Sequence, residues 1–140
     1  MINKVPNYRK LLIITIIIAL MGGFYCKVVH SNNDTEEINE LVPIYSILLD
    51  KEFDTAKLDG HKIVLYAEGE TVEECKVEEM PSTKILYIEN RDTNIIFWQS
   101  GFDDLEGIMF MKSDWTDDTW NGLVRVEKIQ GNAYKVYTYR

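Results

Sequence analysis

Carboxylates are the most abundant reactive groups in this chain, with 23 Asp and Glu against 15 Lys and Arg. Asp103, Asp104 and Glu106 crowd the segment 101–107, and Asp114, Asp117 and Asp118 follow within SDWTDDTW (113–120). Paired carboxylates do acid–base work or hydrolyse glycosides when their surroundings split their pKa values. As hard oxygen ligands they also hold calcium. Trp115 and Trp120 flank the second group and offer a flat apolar platform with acceptors at its edge, the chemistry of sugar-binding surfaces and of protein-interface anchors. Asp103, Asp104, Glu106, Asp114, Trp115, Asp117, Asp118 and Trp120 are therefore the candidate binding set, provided both segments are loops at one end of a sheet. The competing expectation is a solvated acidic rim with the two indoles folded back over the core. A calcium loop of the EF-hand kind is excluded, because Thr119 stands where its glycine belongs and Arg125 where its bidentate glutamate belongs.

Other chemistry is sparse. His30 and His61 are the only histidines, and neither has ligand-bearing neighbours at the spacing a metal site needs. His61 lies in Asp59-Gly60-His61-Lys62, a turn, and is expected to be solvated. The serines lack a nucleophile-elbow motif, and the eight glycines are too scattered for a phosphate loop. Cys26 and Cys75 form no CxxC pair, leaving a disulfide, two free thiols or an intermolecular bridge equally open. No cofactor or metal is expected, and a non-enzymatic role is favoured.

The elements that must position these residues are one helix and a set of strands. Ile38, Leu41, Val42, Tyr45, Leu48 and Leu49 recur at helical spacing, with Asp34 and Glu37 resembling a capping box ahead of them. Pro43 interrupts the stripe and predicts a kink or a fresh helix start. From Lys62 the period changes. Segments 62–69, 84–90, 94–100, 107–113, 122–129 and 133–140 are short and rich in β-branched and aromatic residues. Arg91–Asn94 and Gln130–Ala133 read as tight turns, which favour antiparallel neighbours. The acidic segment 70–83 is expected to be a short helix or a loop. Segments 94–100 and 107–113 are apolar on both faces and belong mid-sheet. The expected fold class is α+β: an N-terminal transmembrane helix, then one amphipathic helix and a five- to six-stranded, mainly antiparallel meander curved into a half-barrel or roll.

Charge is split along the chain. Residues 1–30 hold Lys4, Arg9, Lys10 and Lys27 and no acid, for +4, whereas the rest carries −12. Between them runs LLIITIIIALMGGFYC (11–26), sixteen residues without a charge. As a helix it covers about 24 Å at about 1.5 Å per residue. Val28 and Val29 extend it while Lys27 snorkels, so 11–29 is expected to span a membrane of about 30 Å hydrocarbon thickness. Met21 three residues before a cut after Gly23, bulky Tyr25 beside Cys26, and a site at Val29-His30-Ser31 that comes late favour an uncleaved signal-anchor over a secreted product. Residues 1–10 then lie in the cytoplasm, 30–35 form a tether, and 36–140 form an acidic extracytoplasmic domain of the cell membrane. Secretion after cleavage is the alternative localisation. A nucleic-acid partner is excluded by the acidic balance. The expected function is a membrane-anchored protein-interaction module, an accessory subunit or an immunity-like protein for a basic partner. The alternative is a carbohydrate- or calcium-binding surface domain, or a weak hydrolase, built on the tryptophan-flanked loops.

Overall fold

The computed structural model describes residues 33–99, 104–114 and 121–139. The chain divides into compact units Met1–Asp34 and Thr35–Arg140. The expected cytoplasmic end, membrane segment and residues 30–32 of the expected tether lie outside the described residues, and residues 33–35 are helical rather than a tether. Among the described residues no helix is long and apolar enough to cross a membrane.

Helix α1 (residues 33–48) is continuous and already includes Asp34, which is therefore not its cap. Pro43 does not break it. The bond Pro43 forfeits is the one to the Asn39 carbonyl, and both residues are exposed, so water can satisfy the orphaned oxygen. The buried stripe is Ile38, Leu41, Ile44 and Leu48, with Tyr45 and Ile47 at its margins. Val42 and Leu49, expected inside, are 42% and 44% exposed. Ile44, left out of the expected stripe, takes the place next to Leu41.

Eight strands follow: β1 (Thr55–Asp59), β2 (Lys62–Ala67), β3 (Glu70–Lys76), β4 (Ile85–Asn90), β5 (Asn94–Gln99), β6 (Asp104–Met111), β7 (Arg125–Gln130) and β8 (Ala133–Tyr139). The domain is α+β with an antiparallel sheet, but eight strands replace the expected five or six. The additions are β1 and β3, which fall in segments read as polar connections. β3 is exposed at every position except Cys75, so it shows no alternation to read. A two-residue turn at Glu68-Gly69, both with positive φ (52° and 82°), joins it to β2. Such a turn matches the twist of a hairpin. Asp54 supports it by accepting the Glu68 N–H at 2.7 Å.

The strand order is β3-β2-β1-β4-β5-β6-β8-β7, with every pairing antiparallel. Two departures separate it from the expected meander. β1, not β3, adjoins β4, through only the pairs Thr55–Glu89 and Ala56–Ile88. Asn90 reinforces that seam, its N–H bonding the Asp54 carbonyl at 2.9 Å and its Nδ2 the Phe53 carbonyl at 2.7 Å. At the other end β8 sits between β6 and β7, so residues 112–124 must carry the chain back along the sheet before β7 begins.

Both faces of the sheet are packed. α1 and Ala56, Ile63, Leu65, Ile88, Ile95, Phe97, Ile108 and Phe110 make one core. Ile96, Trp98, Met109, Met111 and Val136 make a second on the opposite face, edged by Tyr87, Leu123, Val126 and Tyr134. β5, buried at all six positions, and β6 are mid-sheet as their two-sided apolarity implies.

Candidate functional site

Of the eight residues proposed from sequence, Asp103, Trp115, Asp117, Asp118 and Trp120 lie outside the described residues. Asp104 opens β6 opposite Tyr139, and Glu106 follows two positions on, opposite Gln99 and Tyr137. Both had been assigned to a loop, but the strand begins three residues earlier than its apolar run. Asp114 is exposed beyond Met111, at the other end of β6. An eight-residue strand, about 27 Å long at about 3.4 Å per residue, therefore separates the described members of the two acidic groups.

Glu106 belongs instead to a polar lattice on the α1 side of the sheet. Gln99, Glu106, Tyr137 and Arg125 are cross-strand neighbours in one row over β5, β6, β8 and β7. In the next row Lys135 stands opposite Glu127 and is only 8% exposed. Arg125 pairs with Glu127 and lies 5.1 Å from the Tyr137 ring, while Gln99 donates to Glu37 of α1. Burial pushes the Tyr137 phenol up, Lys135 opposing and Glu127 and Glu106 assisting, so the hydroxyl remains a proton donor at neutral pH. Two cations face three carboxylates here, and the arrangement joins four strands and α1.

On the opposite face the Trp98 indole N–H donates to Glu89 at 2.8 Å. Arg91 grips the same carboxylate through Nε (2.8 Å) and Nη2 (3.3 Å) and donates from Nη1 to the Asn121 carbonyl at 2.7 Å. The Gly122 carbonyl accepts from Thr138 of β8, and Leu123 packs into the second core. The return segment is thus tied to both sides of that face, and the tryptophan in a strand is structural.

The third place is the wing formed by β1, β2 and β3. Between Glu68 and Glu79 stand six glutamates against one lysine, and all six are exposed. Lys51 pairs with Glu73, and Lys62 with Glu74 at 2.8 Å; the hydrogen bond from Lys51 holds the Glu73 carboxyl below its usual value. Among the described residues Glu68, Glu70, Glu78 and Glu79 have no ion pair of this kind, and all four are exposed. Beside β3 a cleft of about 450 Å³ is lined by Asp59, His61, Lys62, Glu74, Cys75 and Lys76.

Comparison with protein-family models, curated proteins and solved structures finds no match to this chain.

Cys75 carries a free thiol that burial and the Glu73 carboxylate push up, leaving it protonated and a weak nucleophile. His61 is exposed in the β1–β2 turn. Among the described residues no group of three or more His, Cys, Asp or Glu is placed to hold a metal ion. Sequence reasoning passed over the wing because its glutamates are spread through a segment read as a loop. The signal was present in Asp59-Gly60 and Glu68-Gly69, two glycine turns spaced as a pair of hairpins.

Proposed function

We propose that this protein is a single-pass, membrane-anchored interaction module, non-enzymatic, whose acidic extracytoplasmic domain binds a basic protein partner. An accessory subunit of an envelope complex and an immunity-like neutraliser of a basic protein both match this chemistry. The observation that carries the proposal is the wing: six exposed glutamates between 68 and 79, three on the strand at the edge of the sheet and three in the segments that flank it. Such a field raises the encounter rate with cations and disfavours like-charged partners. In this proposal residues 11–29 are the anchor, with residues 1–10 cytoplasmic. The sheet curls about α1 as a roll, a geometry supported by one core that joins α1 to residues of β1, β2, β5 and β6.

The test is affinity capture of the tagged full-length protein from gently solubilised native membranes, in parallel with the triple variant Glu70→Lys, Glu78→Lys, Glu79→Lys. A stoichiometric basic companion, lost from the variant and weakened as salt is raised, is expected. A companion indifferent to both would overturn the electrostatic basis. A second variant reversing Asp103, Asp104, Asp117 and Asp118 shows whether the segments first suspected share the work, since that variant would then lose the companion as well; loss from that variant alone would move the site away from the wing.

A further inference from the structure

We infer that β3 is an acceptor strand: the basic partner binds by laying an extended segment along its free edge as a ninth strand of the sheet. The inference rests on the acidic-interaction proposal and specifies its mode. Among the described residues β3 ends the strand order and pairs with β2 alone. The Val77 N–H bonds the His61 carbonyl at 2.9 Å, which makes His61 and Val77 a bonded pair. The alternation of an antiparallel ladder then directs Cys75 and Glu73 toward Ile63 and Leu65 of β2, leaving the N–H and C=O of Glu74 and Lys76 turned to the open side. From Glu73 to Val77 the free edge runs about 17 Å at about 3.4 Å per residue, the length of an ordinary strand. The register shift at Leu65/Tyr66, where Val72 is the extra residue, bounds it at the other end.

Edges of this kind are usually guarded. β3 carries no proline, its one core-side charge, Glu73, is drawn off by Lys51, and its single lysine is outnumbered by glutamates. Glutamates reject other acidic strands, including β3 of a second copy, where antiparallel pairing would set Glu against Glu. They admit a strand whose side chains are basic, so the edge discriminates by sign. The cleft takes Glu74, Cys75 and Lys76 of its lining from this edge strand, and its Glu74 carboxylate is already paired with Lys62 at 2.8 Å, so selection falls to the other exposed glutamates along and beside β3. Main-chain bonds then supply affinity and the glutamates supply selection, as in strand addition generally.

The experiment uses the full-length protein in detergent and two synthetic heptapeptides of equal charge. One is Lys-Val-Lys-Thr-Lys-Val-Lys, which can extend, and the other replaces both valines with proline, which removes main-chain donors. The first is expected to bind at least about tenfold more tightly than the second. On binding, the amides of Glu74 and Lys76 should exchange more slowly, while those of Glu73 and Cys75, already bonded to β2, change little. Lys76→Pro removes an outward donor together with a positive charge. It should weaken the first peptide, whereas attraction by charge alone would leave binding unchanged or strengthen it. The exchange measurement on the unaltered chain decides the matter if Lys76→Pro does not fold. Equal binding of both peptides with no amide protection would overturn strand addition and leave the acidic-interaction proposal standing. Binding of neither would overturn both.

Discussion

Gly107 shows how one missing side chain organises a face of the sheet. It lies opposite Trp98, and a methyl group there would sit 2.7 Å from the Phe97 carbonyl oxygen and 3.1 Å from the Trp98 ring. The indole lies across β6 because nothing projects from that position, and from there its N–H reaches Glu89. Gly107→Ala should therefore destabilise the domain despite the helix- and strand-neutral nature of the change, by about 1–3 kcal/mol, the usual cost of overpacking. Denaturant unfolding monitored by tryptophan fluorescence measures it, and an unchanged midpoint would contradict the packing described. The same argument explains why Trp98, which looks from sequence like one more apolar strand residue, anchors a charged clamp. The burial pattern is legible in NIIFWQS, but the Glu89–Arg91 grip depends on cross-strand register, which no local pattern encodes.

At the scale of elements, the weakest join is between the wing and the main sheet. Only two residue pairs link β1 to β4, against six between β5 and β6. Asn90 therefore matters beyond its size, bonding backbone on both sides of Asp54. Asn90→Ala should cost about 1–2 kcal/mol, with the Phe53 carbonyl left without its donor. Native-state hydrogen exchange is expected to show that loss mainly as faster exchange in β1, β2 and β3; a uniform change across all eight strands would argue for a single cooperative sheet. Elements with two-sided apolar runs or tight turns were readable in advance: β2, β4, β5, the body of β6, and the β7–β8 hairpin. Those that failed did so for identifiable reasons. β3 is solvated on both faces and has no hydrophobic period. Pro43 breaks a local rule at a solvent-facing position where water makes the loss tolerable. The sequence places the two acidic loops on either side of a strand at 107–113 and leaves their meeting conditional; Asp104 and Glu106 lie within β6 and Asp114 beyond its other end.

For the molecule as a whole, ionisation sets a window of stability. Burial is the main reason Tyr45, Tyr87 and Tyr137 are held above their ordinary value of 10.0. The folded state keeps these protons longer than the unfolded chain does, so their contribution is fully present below about pH 10 and lost as pH rises through the raised values. Lys112, pushed down by burial, opposes this over its own range. At the acid side Glu40, bonded by Ser82, and Glu73, bonded by Lys51, lie below 4.5. Their contribution is present above that value and fades as pH falls through the lowered ones. The unfolding midpoint should thus be level from about pH 5 to 9 and decline on either side. A midpoint that climbs above pH 10 would show that the phenols are not protected as described. The strand order has a further consequence at the β7 end of the sheet. Among the described residues β7 pairs with β8 and with no other strand, and the two-residue turn between them makes the pair a local hairpin. β7 therefore belongs to the sheet only through β8, and without that hairpin the sheet would end on the bare edge of β6.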